Sequence, residues 1–422
     1  MREREHLGIH LSNDINKERL VEHIFTAQIE GEIQKYNKGK GTLFSDLAIA
    51  EIHEEERRYD KCLITDRKMT TFSSGERKKI YIDFILKDNP DFIVLDNPLD
   101  HLDQESRVAL AERLEEIAKM KTIIQLANRV SDFLPFIKNK FELEENPFRL
   151  NPISNVQESD NWFEKQLNLP KNGLNELKND QELIKIENLN IHYDDRPIIK
   201  DICWTIRSGD FWQLVGPNGS GKSTILSLIT GESTKGYGQD LYLFGRKKGS
   251  GESIWEIKKK IGFFAPNMTE LFRRTNTLLE MLLSGYYDSI GLYDTPSTLQ
   301  RKECTEWLKL ADLLPLKNTT FNKLSAGQQR LGLILRAVVK NPPLLILDEP
   351  TEGLDDAGAR LVIDLVNMLH ERSRLAIVFV SHRLEKGLEP KAIFELMPSL
   401  AGSTVKTILK KGNTSYKNRF LS

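Results

Sequence analysis

Nine residues near the middle of the chain have the composition of an anion cradle. Gly216-Pro217-Asn218-Gly219-Ser220-Gly221-Lys222-Ser223-Thr224 fits GxxxxGK[ST] and directly follows the apolar run FWQLV. Glycines let backbone N–H groups close around a β-phosphate where side chains would block approach. A helix beginning near Lys222 turns its positive end to the same anion. In that geometry Lys222 reaches the β- and γ-phosphates and the Ser223 hydroxyl ligates Mg²⁺. Farther on, the apolar run Leu344–Leu347 ends in two carboxylates, Asp348 and Glu349. Asp348 is suited to hold Mg²⁺ through water, and Glu349 to polarise an attacking water. Alone, such a pair could be the solvated end of a strand; the phosphate loop gives the two carboxylates a shared task. His382, just after the apolar Ala376–Val380, can donate to a γ-phosphate. A lone histidine is usually structural, so its role rests on the combined pattern.

The elements that must position these residues occur twice. Around Ser73 the chain reads TTFSSGERKKIYIDFILKDNPDFIVLDNPLDHLD, and around Ser325 NKLSAGQQRLGLILRAVVKNPPLLILDEPTEGLD. Each has a small-residue turn, a basic amphipathic helix, an Asn-Pro break and an apolar strand ending in Asp. From Ser73 to Asp96 is 23 positions, as it is from Ser325 to Asp348. Equal spacing makes these two copies of one α/β domain. Each copy is expected to hold a mixed sheet around a parallel core, an antiparallel β front and a helical insert. The expected layout is a first copy over 1–145, an Asn-rich linker over 146–183 with a short helix around Asn161–Leu167, and a complete second copy over 184–422. The second copy opens with two alternating segments around Asp194-Asp195-Arg196-Pro197, a hairpin signal.

The first copy departs from the second in three places. Lys222 lies 103 residues before Ser325, and the same spacing puts a first-copy lysine before Met1. Nothing in residues 1–70 reads as a glycine-rich phosphate loop. The expectation is therefore a first copy lacking its phosphate loop, because the chain as given starts late by roughly 70 residues. Outright loss of a central strand and its helix would open the core to water. Asn97 stands where Glu349 stands in the second copy, and Asn128 where His382 stands. An amide is neither a carboxylate base nor an imidazole, so the first copy is expected to be catalytically weak.

Composition narrows the function classes. The chain has 422 residues, 39% hydrophobic, enough for two domains with real cores. Lys plus Arg (60) nearly balances Asp plus Glu (61), which argues against a broad basic surface for nucleic acid. Cys62, Cys203 and Cys304 have no metal-ligand spacing and read as reduced core residues of a cytoplasmic protein. No apolar run approaches the ~18–20 residues of a bilayer span. The charged start MREREHLGIH lacks a signal-peptide core. A membrane role would therefore come through a partner.

Taken in order, the phosphate loop, LSAGQ (Leu324–Gln328), LDEP (Leu347–Pro350), GLD (Gly353–Asp355) and the Ser381-His382 pair resemble the ATP-binding-cassette superfamily. That resemblance implies a P-loop ATPase using ATP and Mg²⁺. It also implies cassettes that pair head to tail, ATP lying between one phosphate loop and the other cassette's signature. Implied signatures are Ser73, Ser74, Gly75 and Glu76 in the first copy, and Ser325, Ala326, Gly327 and Gln328 in the second. One consensus catalytic site follows, built from Lys222, Asp348, Glu349 and His382. Asn267 stands where the family carries a Mg²⁺-sensing glutamine, one methylene shorter, and Tyr193 resembles its adenine-stacking aromatic.

Two stretches, Phe244–Gly262 and Thr277–Thr295, further resemble tandem-cassette ATPases named for molybdate transport. This implies a separate membrane permease, a cytoplasmic location peripheral to the inner face of the membrane, and docking through 267–293, including Tyr286 and Tyr287. The alternative is a soluble tandem-cassette translation factor bound to ribosomes. That class usually carries a long, charged helical linker, whereas the linker here is short and Asn-rich. A chromosome or DNA-repair ATPase would need a long coiled coil, and no sustained heptads occur. Pairing within one chain and between chains both remain open to the sequence.

Overall fold

Strands that are apolar on both faces need cover on both sides, and each half of the chain supplies it. The computed structural model describes residues 4–26, 32–145, 148–153, 169–170, 180–272 and 275–409. The chain divides into two compact units, Met1–Ser159 with Gly353–Ala357, and Asp160–Glu352 with Gly358–Ser422.

Unit 1 is built on β1 (Leu7–His10), β2 (Gly41–Phe44), β3 (Phe92–Asp96), β4 (Thr122–Ala127), β5 (Asn139–Glu145) and β6 (Phe148–Pro152). Its helices are α1 (Lys17–Phe25), α2 (Asp46–Tyr59), α3 (Ser74–Leu86) and α4 (Gln104–Ala118). The strands run in the order β2-β3-β4-β1-β5-β6, all parallel except the β5–β6 pair. Along β3, Ile93 and Leu95 pack with Tyr81 and Ile82 of α3 and Leu110 and Leu114 of α4. Phe92 and Val94, on the alternate phase, pack with Leu7 and Ile9 of β1 and Leu20 and Ile24 of α1. Burial of each such Leu or Ile is worth about 1.5–3 kcal/mol, so both layers hold the sheet.

Unit 2 contains β7 (Glu182–Tyr193), β8 (Arg196–Arg207), β9 (Phe211–Val215), β10 (Asp240–Leu243), β11 (Arg246–Lys247), β12 (Ile261–Phe264), β13 (Leu344–Asp348), β14 (Ala376–Ser381), β15 (Ala392–Met397) and β16 (Thr404–Leu409). They form a mixed sheet, β12-β13-β14-β9-β15-β16, and an antiparallel sheet, β11-β10-β7-β8. The expected hairpin is β7–β8, with Tyr193 opposite Arg196. Helices α5 (Lys222–Ile229) and α6 (Ile254–Lys259) precede the helical insert of α7 (Met268–Leu271), α8 (Leu278–Leu283), α9 (Thr298–Leu310) and α10 (Ala326–Val338), and α11 (Asp356–Glu371) follows β13.

The two mixed sheets have one topology. Asp96 pairs with Leu126, which pairs with Ile9; Asp348 pairs with Val380, which pairs with Leu214. Strand β1 therefore stands in unit 1 where β9 stands in unit 2. Helix α1 follows β1 as α5 follows β9, with 56 residues from Lys17 to Ser73 against 103 from Lys222 to Ser325. Between α1 and α3, the described residues of unit 1 form one strand, β2, and one α-helix, α2, where unit 2 has the β10–β11 pair, α6, β12 and α7–α9.

Two expectations change, and a third is not tested. The first sheet continues past residue 145, because β6 pairs with β5 in the stretch read as linker. The helix expected at Asn161–Leu167 lies outside the described residues. Of the cysteines only Cys304 is buried; Cys203 lies on the outward phase of β8, flanked by buried Ile202 and Trp204, and Cys62 is in an exposed loop. Burial pushes the Cys304 thiol up to about 12. Among the described residues no helix is long and apolar enough to cross a membrane.

Candidate functional site

Strand β9 is buried along its whole length and delivers Val215 to one end of the sheet, where the loop 216–221 begins. Gly219 and Gly221 adopt φ of 76° and 96°, the left-handed region that favours glycine. At Gly221 a Cβ would also crowd Ile199 at 3.2 Å. Helix α5 then starts at Lys222, and its N-cap, Gly221, has no side chain to cap it. Ser220 Oγ is buried with no hydrogen-bond partner among the described residues. Lys222 Nζ folds back to donate to Gly216 O at 2.6 Å and Pro217 O at 3.1 Å. A helix N-terminus with a glycine cap, an orphan hydroxyl, a glycine cradle and an ammonium together fit a nucleotide polyphosphate. Ser223 and Thr224 occupy the first turn of α5.

Strands β13 and β14 bring the second group to the same end. Asp348 closes β13, and Glu349 follows at φ 46°, its amide donating to Val380 O at 3.0 Å. Burial, with the Glu349 carboxylate alongside, pushes the Asp348 carboxyl up to about 6, while Lys222 opposes the shift. A cation at Asp348 would favour the charged form, which is what a Mg²⁺ ligand requires. His382 Nδ1 lies 3.1 Å from Glu349 Oε2, so imidazole and carboxylate form one hydrogen-bonded pair. Sequence reasoning missed the residue that braces this pair. Gln213, buried in β9, donates to Ser381 Oγ at 3.0 Å and Arg383 O at 3.1 Å, fixing the turn that carries His382. Its signal was a polar residue inside FWQLV.

Both signature serines cap helices. Glu76 N donates to Ser73 Oγ, and Ser73 N to Glu76 Oε2 at 2.8 Å; Ser325 and Gln328 repeat the exchange in α10. These reciprocal boxes explain the Ser-x-x-Glu/Gln spacing. Ser74 and Ala326 open their helices, and Gly75 leaves room for Ser106, which a Cβ would meet at 2.7 Å. Gly327 has Gly358 at 3.3 Å from where its Cβ would stand.

Other expected residues are less engaged. Tyr193 sits at the β7–β8 tip, half exposed, with the Lys235 ammonium 5.5 Å from its ring centre. Asn267 follows β12, which runs parallel to β13, so it lies at the same end of the sheet as Asp348; its side chain is exposed and makes no cap bond to α7. Tyr286 and Tyr287, expected at a docking surface, are half-buried. Their hydroxyls donate to Glu303 Oε2 at 2.5 Å and Gln300 Oε1 at 3.2 Å, tying their turn to α9. Tyr293, 68% exposed, is the accessible ring of that stretch.

Comparison with known proteins follows this geometry. The ABC transporter family model matches residues 199–352. The ABC transporter ATP-binding protein ModF of Escherichia coli is 38% identical over 76% of this chain and 69% of its own length. An ABC transporter ATP-binding protein of Schizosaccharomyces pombe is 30% identical over 74% of this chain and 65% of its own. The zinc uptake system ATP-binding protein ZurA of Listeria monocytogenes is 33% identical over 48% of this chain and 78% of its own. With a phosphate loop, paired carboxylates and signature helices in the family's order, the chain belongs to the ABC transporter ATP-binding proteins.

Proposed function

We propose that unit 2 is the one hydrolytic cassette of the chain, converting ATP and water to ADP and phosphate. The observation that carries this is the His382–Glu349 pair, 3.1 Å apart, beside an uncapped glycine-rich phosphate loop. Gly216 to Gly221 and the first turn of α5 bind the phosphates, and Lys222 leaves its carbonyls to neutralise them. Tyr193 offers its ring to the adenine. Ser223 and Asp348 are the residues that would hold Mg²⁺, with Asn267 beside them, and the ion when bound supplies charge neutralisation on the phosphates. Glu349 orients and polarises the water that attacks the γ-phosphorus in line with the departing ADP oxygen. His382 donates toward the γ-phosphate and holds the Glu349 carboxylate in position. Donors aimed at the charge that develops in the transition state supply most of such an acceleration.

The signature helix of a partner cassette completes the site. Ser73, Ser74, Gly75 and Glu76 in unit 1, or Ser325 to Gln328 in unit 2, present a helix N-terminus to nucleotide held by another cassette, within the chain or in a second chain. We further propose that this ATPase energises transport through a separate membrane protein, as the names of its relatives suggest. Removing the base tests the reaction. Glu349→Gln keeps the shape and the bond to His382 and should retain nucleotide binding while losing phosphate release. Turnover near that of the parent would reject Glu349 as the group that acts on water.

A further inference from the structure

We infer that Thr351 and Glu385 form a clip that holds His382 against Glu349, which makes both of them positioning residues for that pair. The inference rests on the reading of unit 2 above and adds to it two residues that act through the pair. The need for a clip follows from where the pair stands. Strands β13 and β14 are paired as far as Asp348 and Val380, and the Glu349 amide donates once more, to Val380 O at 3.0 Å. Past that point both chains leave the sheet. Glu349, at φ 46°, begins one turn, and His382 directly follows β14. A contact of 3.1 Å between side chains on two turns is only as well held as the turns are held to each other.

Thr351 and Glu385 join the two turns directly. Thr351, two residues after Glu349, donates from Oγ1 to Glu385 Oε1 at 2.8 Å, and Glu385 lies three residues after His382. Thr351 is 2% exposed and the Glu385 side chain 7%, so water has little access to the bond. A hydroxyl that donates to a carboxylate in such a setting makes one of the stronger hydrogen bonds open to a neutral side chain. Arg383 Nε lies 3.4 Å from the same Oε1 and brings a cation to it from within the turn. The turn is also tied to β9. Gln213 Nε2 and Ser381 Oγ both donate to Arg383 O, at 3.1 and 2.7 Å. His382 therefore sits between two anchored residues, Ser381 and Arg383, and Glu385 carries that anchorage across to the turn of Glu349.

Two observations separate the clip from ordinary turn chemistry. Threonine in a turn commonly bonds to backbone a few residues away. Here the hydroxyl reaches a side chain 34 residues along the chain. The second observation is internal to the protein. Counted from the strand pairs Asp96–Leu126 and Asp348–Val380, the positions of Thr351 and Glu385 are held in unit 1 by Leu99 and Ser131. Leucine has no hydroxyl to donate, and Leu99 and Ser131 accompany Asn97 and Asn128. The threonine–glutamate bond thus goes with the carboxylate and imidazole, the two groups whose chemistry depends on being held together.

The test uses the full chain. Thr351→Val keeps the shape and removes the hydroxyl, whereas Thr351→Ser keeps the hydroxyl. Thr351→Val should lower kcat for phosphate release by roughly 10–10²-fold, with the Kd for MANT-ATP within about twofold of the parent. Thr351→Ser should bring kcat back to within about threefold of the parent. In ¹⁵N-histidine-labelled protein, the ring nitrogens of His382 are assigned by their loss in His382→Ala. They should shift in Thr351→Val and keep the parent positions in Thr351→Ser. Unshifted nitrogens in Thr351→Val would overturn the clip and leave the reading of unit 2 standing. Shifted nitrogens with parent turnover would keep the clip and reject the part of the pair in hydrolysis. Equal loss of kcat in Thr351→Val and Thr351→Ser would overturn the clip, because the hydroxyl would not be what matters. If Thr351→Val fails to fold, Glu385→Gln, which keeps an acceptor, and Glu385→Ala, which removes it, carry the same comparison.

Discussion

Glu349 and Asn97 share a backbone and differ in chemistry. Both sit in the left-handed region, at φ 46° and 42°, and both donate their amide to the neighbouring strand, at Val380 O and Leu126 O. Inside one chain the fold therefore offers a carboxylate and an amide in matched settings. Carboxylate with imidazole can polarise water; amide with amide can only bond to itself. Two predictions belong at this scale. His382→Ala should lower kcat by about 10²–10⁴-fold with nucleotide affinity little changed, read by phosphate release and equilibrium binding. Equal loss of both would make His382 a structural brace. Asn97→Glu should add no turnover, because Asn128 still stands where His382 stands and Lys17 holds Asp96; a measurable gain in Glu349→Gln carrying Asn97→Glu would contradict this.

Elements decide which residues can meet. The central strands β9 and β1 carry loop and lysine to the end where β13 and β3 deliver their aspartates. Ile9, fully buried in β1, tests whether that strand is core. Ile9→Ala should destabilise unit 1 by about 2–5 kcal/mol in a thermal or urea melt; a change within error would mean β1 is peripheral. Ser325→Ala removes the cap of α10 and should cost about 1 kcal/mol apart from any effect on turnover. Helix α11 adds a pH dependence. His370, against Phe211 with ring centres 5.1 Å apart, has its pKa pushed down to about 4 by burial and then by Lys391. Above pH ~6.5 the residue is neutral in both folded and unfolded chains; between ~6.5 and 4 only the unfolded chain takes the proton. Stability should therefore be full above that window and fall through it by roughly 3 kcal/mol. His370→Phe should flatten the fall, and an unchanged slope would assign it to other groups.

At the scale of the whole molecule, two units of one topology carry different chemistry. The sequence made unit 2 legible because glycine, lysine and paired carboxylates are rare in that order and each has a physical task. It made the back half of unit 1 legible because Ser73 and Ser325 both open capping boxes, followed by strands of equal spacing. Strand β1 was not legible. Four residues long, it contains Gly8, where a Cβ would meet Phe133 at 2.7 Å, and it ends in His10, so no apolar run marks it. The loop after β1 contains no glycine, so no phosphate-loop motif marks it either. The repeat reaches side chains that no motif covers: Lys78 donates to Asp100 O at 2.9 Å and Arg330 to Glu352 O at 2.9 Å, five residues after each signature serine. A transport role predicts recovery of the native protein with membranes when lysate is fractionated with ATP; recovery with ribosomes would replace that role with one in translation.

We propose that one glutamate in unit 2, Glu349, accounts for all turnover. The most direct measurement is phosphate release by the full-length Glu349→Gln variant, with bound nucleotide counted in the same sample. The account predicts no release above background and one intact ATP retained per chain. Release at an appreciable fraction of the parent rate, with nucleotide still bound, would place the hydrolytic base elsewhere and contradict it.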